Sequence, residues 1–73
     1  MKVGEIVILL GGSGRLAQKL GIKSQSISQW IKSDRIPVAR VPELEQISRK
    51  KGLPLRAEDM RPDVNWGVIR TGT

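Results

Sequence analysis

The chain contains no cysteine and no histidine. Disulfide staples, thiolate or imidazole metal sites, and His- or Cys-based catalysis are therefore closed to it, so no metal, cofactor or enzymatic activity is expected. The missing disulfides suit a reducing compartment. Phenylalanine and tyrosine are absent too, leaving Trp30 and Trp66 as the aromatics. Both are assigned to the core, where a large ring stabilises most. Acidic residues are few: 7 against 13 lysines and arginines. Glu43, Glu45, Glu58, Asp59 and Asp63 are scattered, form neither a catalytic pair nor a metal cage, and in several cases suit helix starts. Apolar runs are short as well, the unbroken one at residues 6–10 having only five members. A signal peptide needs a longer core, and a membrane-spanning helix about 20 apolar residues. The expected location is the cytoplasm, at the nucleoid, with no membrane partner.

What is present is a single small domain of 73 residues with a net charge of +6 at pH 7. That charge calls for a polyanionic partner. The stretch "EIVILLGGSGRLAQKLG" has the order of a nucleotide-binding strand, loop and helix. Gly12, Gly14 and Ala17 even satisfy the G-x-G-x-x-A fingerprint. A dinucleotide site, however, needs βαβ units, and no second apolar strand pattern follows residue 21. The glycine loop therefore separates two helices.

Val3, Ile6, Val7 and Leu10 recur at three- and four-residue spacing, which predicts an amphipathic first helix over residues 2–10. Gly11 and Gly12 end it, and Ser13 stands where an N-cap belongs. The second helix covers residues 14–20, with Gly21 as its left-handed C-terminal residue. Ser24 offers another cap before a third helix over residues 25–32, which buries Ile27, Trp30 and Ile31. "SDRIP" breaks the pattern. Pro42 suits the first turn of a fourth helix running to Lys51, with Val41, Leu44 and Ile47 inward. Residues 53–55 are extended, and residues 56–60 form one more short helical turn. In "DVNWGVIRTGT" the alternation of Val64, Trp66 and Val68 predicts an extended segment. Val64 and Trp66 fold back onto the core, leaving Val68 and Ile69 for a dimer interface. The chain is thus read as an all-α bundle of four to five short helices. Residues 1–66 form the DNA-binding domain and 67–73 a flexible tail.

The spacing of Ala17, Gly21, Ile27 and Trp30 carries the function. Two helices crossing steeply need a small residue at their closest approach, a tight turn, and apolar wedges on the second helix. These positions supply each, and make a helix-turn-helix. Around Ile27 as the centre of the buried face, Gln25, Ser28, Gln29 and Lys32 fall on the opposite side, with Ser24 and Ser26 near the N-terminal end. A glutamine amide carries donor and acceptor in one plane, matching the N6 and N7 edge of adenine. On a surface helix such residues are ordinarily just solvated; inside a helix-turn-helix of a +6 chain they are read as base contacts. Ser13 and the free amides at Gly14 and Arg15 form a helix N-terminus, where an anion is stabilised. Arg15, Lys19, Lys23, Lys32, Arg35 and Arg40 lie on or near the motif helices, where phosphates run. Arg49, Lys50 and Lys51 end the fourth helix. For them, offsetting the helix dipole and contacting phosphate both stay open.

"LAQKLGIKSQSISQW" resembles the helix-turn-helix of the lambdoid phage repressors and Cro proteins. "IPVARVPELEQI" and "DMRPDVNW" are similar to the segments that follow it in Cro-like proteins of the YdaS antitoxin-like group. The resemblance spans roughly residues 12–66; its first motif is widespread, and the "RPDV-x-W" ending is narrower. It implies a lambda-repressor-like fold and a transcriptional repressor or regulator, usually dimeric, on a near-palindromic operator in double-stranded DNA. It also implies that the start of the second helix abuts a backbone phosphate, and that Ser24, Gln25, Ser26 and Gln29 occupy base-reading positions. The competing expectation is an antitoxin-like protein that binds a toxin partner and regulates its own operon.

Overall fold

A computed structural model describes residues 1–67. Of the expected tail, residues 67–73, Gly67 is described, and the remainder, with Val68 and Ile69, lies outside the described residues. The described chain is all-helical: α1 (Val3–Leu9), α2 (Ser13–Leu20), α3 (Ser24–Ser33), α4 (Val41–Lys50) and α5 (Ala57–Met60), with a 3-10 turn at Val38–Arg40 before α4. No strand occurs among these residues, which disposes of the dinucleotide fold.

One core joins all five helices. Val3, Ile6, Val7 and Leu10 from the first helical stretch meet Leu16 and Ala17 of α2 and Ile27 and Trp30 of α3. Ile36, Val41, Leu44, Leu55, Ala57, Met60 and Trp66 close it from the other side. The pattern read from spacing is therefore the packing pattern. Ile31 departs from it: the side chain is 39% exposed. It lies one step round α3 from the Ile27–Trp30 stripe, and α1, which faces it with Gly4, offers no side chain there to cover it: a β-carbon on Gly4 would lie 3.7 Å from Ile31 Cγ2.

Helix starts also differ from expectation. Ser13 is the first residue of α2, not its cap; Gly12, at φ 93°, takes the cap position without a side-chain bond. Its carbonyl accepts the first helical bond, from Leu16 N at 3.0 Å. Likewise α3 begins at Ser24, with Lys23 as the cap residue and no side-chain cap. The serines favour helix ends, but at α2 the positive-φ, extended-ψ conformation open to Gly12 starts the helix one residue earlier, and at α3 the extended Lys23 takes the cap position.

Side-chain hydrogen bonds to the backbone fasten the helices and the links between them. Asp34, left-handed at φ 54°, ends α3, and its carboxylate accepts from Val3 N at 2.9 Å, capping α1 from 31 residues away. Glu45 of α4 accepts from Ala57 N at 2.7 Å at the start of α5, where Asp59 also accepts from Arg56 N at 2.9 Å. The fully buried hydroxyl of Ser48 reaches the carbonyls of Leu53 (3.2 Å) and Leu55 (3.4 Å), which sets the extended link to α5.

The "RPDV-x-W" ending is a clamp. Arg61 donates through Nε and Nη2 to the two carboxylate oxygens of Asp63, at 2.8 and 2.7 Å. Its Nη1 donates to the Ile36 carbonyl at 2.8 Å. The Trp66 indole N–H then donates to the Arg61 carbonyl at 2.8 Å, with the ring buried. Val64 and Trp66 do fold back on the core. The expected extended conformation fails, because Trp66 and Gly67 are helical; the ring reaches the core from a helical turn because the clamp bends the chain first.

The guanidinium holds the Asp63 carboxyl well below its ordinary value, at about 2, mainly through these hydrogen bonds; the charge of nearby Arg35 adds to the effect. The same pairing raises the pKa of Arg61. Because the folded value lies below the unfolded one, the carboxylate's contribution is complete above about pH 4 and is lost as pH falls toward 2. Asp63→Asn is therefore expected to melt below the wild type at neutral pH, with the difference closing below about pH 4. A gap that stayed constant across an acid titration would show that the pair contributes nothing through charge.

Candidate nucleic-acid interface

The helix-turn-helix is built by local chemistry. Ala17, buried at the crossing, lets α2 and α3 approach, and they form the most extensive helix pair in the molecule. Gly21 ends α2 in the left-handed region at φ 68°, ψ 32°. A side chain there would be strained, since only glycine adopts this conformation at little cost. Ile22 N then bonds back to the Ala17 carbonyl at 3.0 Å, and the chain reverses into α3 within three residues.

Burial of Ile27 and Trp30 fixes which face of α3 turns outward. Ser24, Gln25, Ser28, Gln29 and Lys32 are exposed there, while Ser26 is half-buried at the edge. Ser28 Oγ donates to the Ser24 carbonyl at 3.3 Å. Among the described residues the two glutamine side chains make no hydrogen bond to the protein, so both amides are available to a partner.

A shallow depression between α2 and the start of α3 gathers Gly14, Arg15, Ala17, Gln18, Ile22 and Ser24. Two expected phosphate residues and one expected base reader thus meet at one place. Gln18 joins them and was missed by sequence reasoning. Its signal was available: it stands one turn after Gly14, on the same outward side of α2. Ser13 is half-buried, and Lys23 is exposed in the turn.

The other expected cations are dispersed. Lys19 lines a different groove, between α2 and α4, with Leu20, Glu43, Gln46, Ile47 and Lys50. Lys32 lies in a third depression, with Lys2, Gly4, Glu5, Ile8, Ile31 and Asp34. Arg35 is exposed beyond the end of α3, near Asp63. Arg40 is half-buried, and Glu43 engages it at 3.2 Å. Arg49 likewise pairs with Glu45 at 3.2 Å. These partially exposed pairs contribute little to stability but lower the local positive charge.

No group of His, Cys, Asp or Glu among the described residues could hold a metal ion. Nor is any described helix long and apolar enough to cross a membrane.

Residues 3–69 match the family described as "Bacterial toxin YdaS". The chain belongs to the YdaS family. A relative in Escherichia coli (strain K12), named "Putative transcriptional regulator YdaS", is 36% identical over 63 residues, covering 85% of this chain. The chain spans 61% of that relative's length. No solved structure matches. The matched range, residues 3–69, spans both the helix-turn-helix and the closing Arg61–Trp66 segment.

Proposed function

We propose that this YdaS-family protein is a sequence-specific DNA-binding regulator of transcription, a Cro-type repressor that sets α3 in the major groove of a near-palindromic operator as a homodimer. One observation carries the reading. The outward face of α3 presents Gln25 and Gln29 with unoccupied amides beside Ser24 and Ser28, on a chain of charge +6. A helix of this diameter fits the major groove, and glutamine pairs in two-pronged fashion with adenine. The transcriptional-regulator name of the E. coli relative agrees with it.

Arg15 and Gly14, at the start of α2, and Lys23, in the turn, flank this face and contact the backbone; Lys32 does so from the far end of α3. Ser13 adds its hydroxyl at the same helix start. Arg35 and Arg40 extend the track beyond α3 and Lys19 along α2. Selection of bound duplexes from a random DNA pool, followed by gel shift, tests the proposal; a pool that never enriches a sequence overturns it. Arg15→Ala, Lys23→Ala and Lys32→Ala are each expected to lower affinity for all duplexes and to flatten the dependence of log K on log salt by about one unit. Unchanged slopes in all three variants would remove these residues from the backbone contact.

The toxin description of the family is compatible with a second reading, in which the chain belongs to a toxin–antitoxin pair. In its antitoxin-like form the protein binds a toxin partner and regulates its own operon. Tight association with the product of an adjacent gene, with operator binding confined to the protein's own promoter, would decide for this reading.

A further inference from the structure

We propose that Lys50 and Lys51, at the end of α4, form a second backbone-contacting surface with Arg15 and Lys19 of α2, holding DNA phosphates that flank the site read by α3. The inference rests on the DNA-binding reading and enlarges its footprint.

Sequence position alone would let all the cations at the end of α4 serve that helix's own carbonyl dipole. Their side chains part company in the fold. Arg49 stays on α4, bound to Glu45 at 3.2 Å. Lys51 instead reaches over the loop before α2. Its Nζ lies 3.7 Å, and Arg15 Cδ 3.9 Å, from the point a β-carbon on Gly11 would occupy. Lys50 lines one groove with Lys19. Two elements far apart in sequence thus bring four cations to one side of the molecule.

Among the described residues no carboxylate pairs with Arg15, Lys19, Lys50 or Lys51. Glu43, the acid bordering the Lys19–Lys50 groove, is engaged by Arg40 at 3.2 Å. Like charges gathered without a counter-charge repel one another, and the free protein must hold mobile anions there. A DNA backbone displaces those anions with fixed phosphates, and the released ions appear as salt-dependent affinity. The location is continuous with Arg15, which already borders the α2–α3 depression. In this reading a duplex lying along α3 extends onto the patch by way of Arg15.

The test uses the full chain and a short labelled duplex of arbitrary sequence, titrated across salt concentrations, so that no operator is needed. Lys50→Ala/Lys51→Ala is expected to reduce the slope of log K against log salt by about two units, and Lys50→Arg/Lys51→Arg to retain it. Arg49→Ala, on the paired residue, is expected to keep the wild-type slope. The substituted lysines are exposed, and a melting temperature at or slightly above the wild type's at low salt is expected as their repulsion is removed. A wild-type slope in the double alanine variant, or equal flattening by Arg49→Ala, overturns the second surface and leaves α3's assignment standing. Salt-independent affinity of the wild type would instead overturn the DNA reading and this inference together.

Discussion

Trp66→Ala is expected to lower the melting temperature by about 15 °C or more, and to leave much of the chain unfolded at 37 °C. Truncating a buried tryptophan costs about 3–5 kcal/mol in lost burial and the cavity left behind. A domain this small has about 5 kcal/mol of stability to lose, and each kcal/mol moves its midpoint by roughly 4–8 °C. The ring is only 6% exposed, and its N–H holds the Arg61 carbonyl at 2.8 Å. Removing it empties the core and loosens the clamp that reaches Ile36. Trp66→Phe separates the two effects: it keeps most of the volume and loses the hydrogen bond, for a smaller drop of about 1–3 kcal/mol. Circular dichroism melts check both. A truncation variant within a few degrees of the wild type would mean that the ending is an appendage to the fold.

Gln25→Ala and Gln29→Ala are expected to weaken binding to the selected operator by roughly 5- to 150-fold each, with affinity for unrelated DNA almost unchanged. A two-pronged glutamine–adenine pair contributes about 1–3 kcal/mol of discrimination against the wrong base. Non-specific affinity comes from cationic contacts to backbone phosphates, which these neutral amides do not supply. Both side chains are exposed and make no internal hydrogen bond among the described residues, so the variants should fold as the wild type does. Competition gel shifts against the operator and against random duplex read the two affinities side by side. If both variants keep the operator preference of the wild type, α3 does not read bases through these amides.

The helix-turn-helix was legible in the sequence because its determinants are local. Ala17, Gly21, Ile27 and Trp30 fall within fourteen residues, and helical spacing alone places them. The outward face of α3 follows from the same periodicity. What escaped reading were contacts between distant parts of the chain. Asp34 caps α1 across 31 residues, and Arg61 reaches the Ile36 carbonyl across 25. Neither leaves a periodic trace. Both residues have polar side chains that looked like loop punctuation. Ser48 is a further case: a serine on the buried side of α4 reads as a flaw until the carbonyls of Leu53 and Leu55 are seen beside it. The misplaced caps at Ser13 and Ser24 have the opposite cause. Their residue preference is real, but the backbone path set by Gly12 and by the tight turn decided where each helix began. The choice between helix dipole and phosphate for Lys50 and Lys51, left open by the sequence, depends on how α2 and α4 pack together, which brings Lys50 beside Lys19 and Lys51 beside Arg15.

The outward face of α3 has a consequence for how such a protein can change. Folding draws on Ile27 and Trp30, while the exposed Ser24, Gln25, Ser28 and Gln29 stand outside the core. The two tasks share one helix but no side chain. A library varying Ser24, Gln25, Ser28 and Gln29 should therefore yield mostly folded proteins with altered target preference, because new specificity can be tried there without first being paid for in stability. The scaffold can be inherited while its vocabulary drifts.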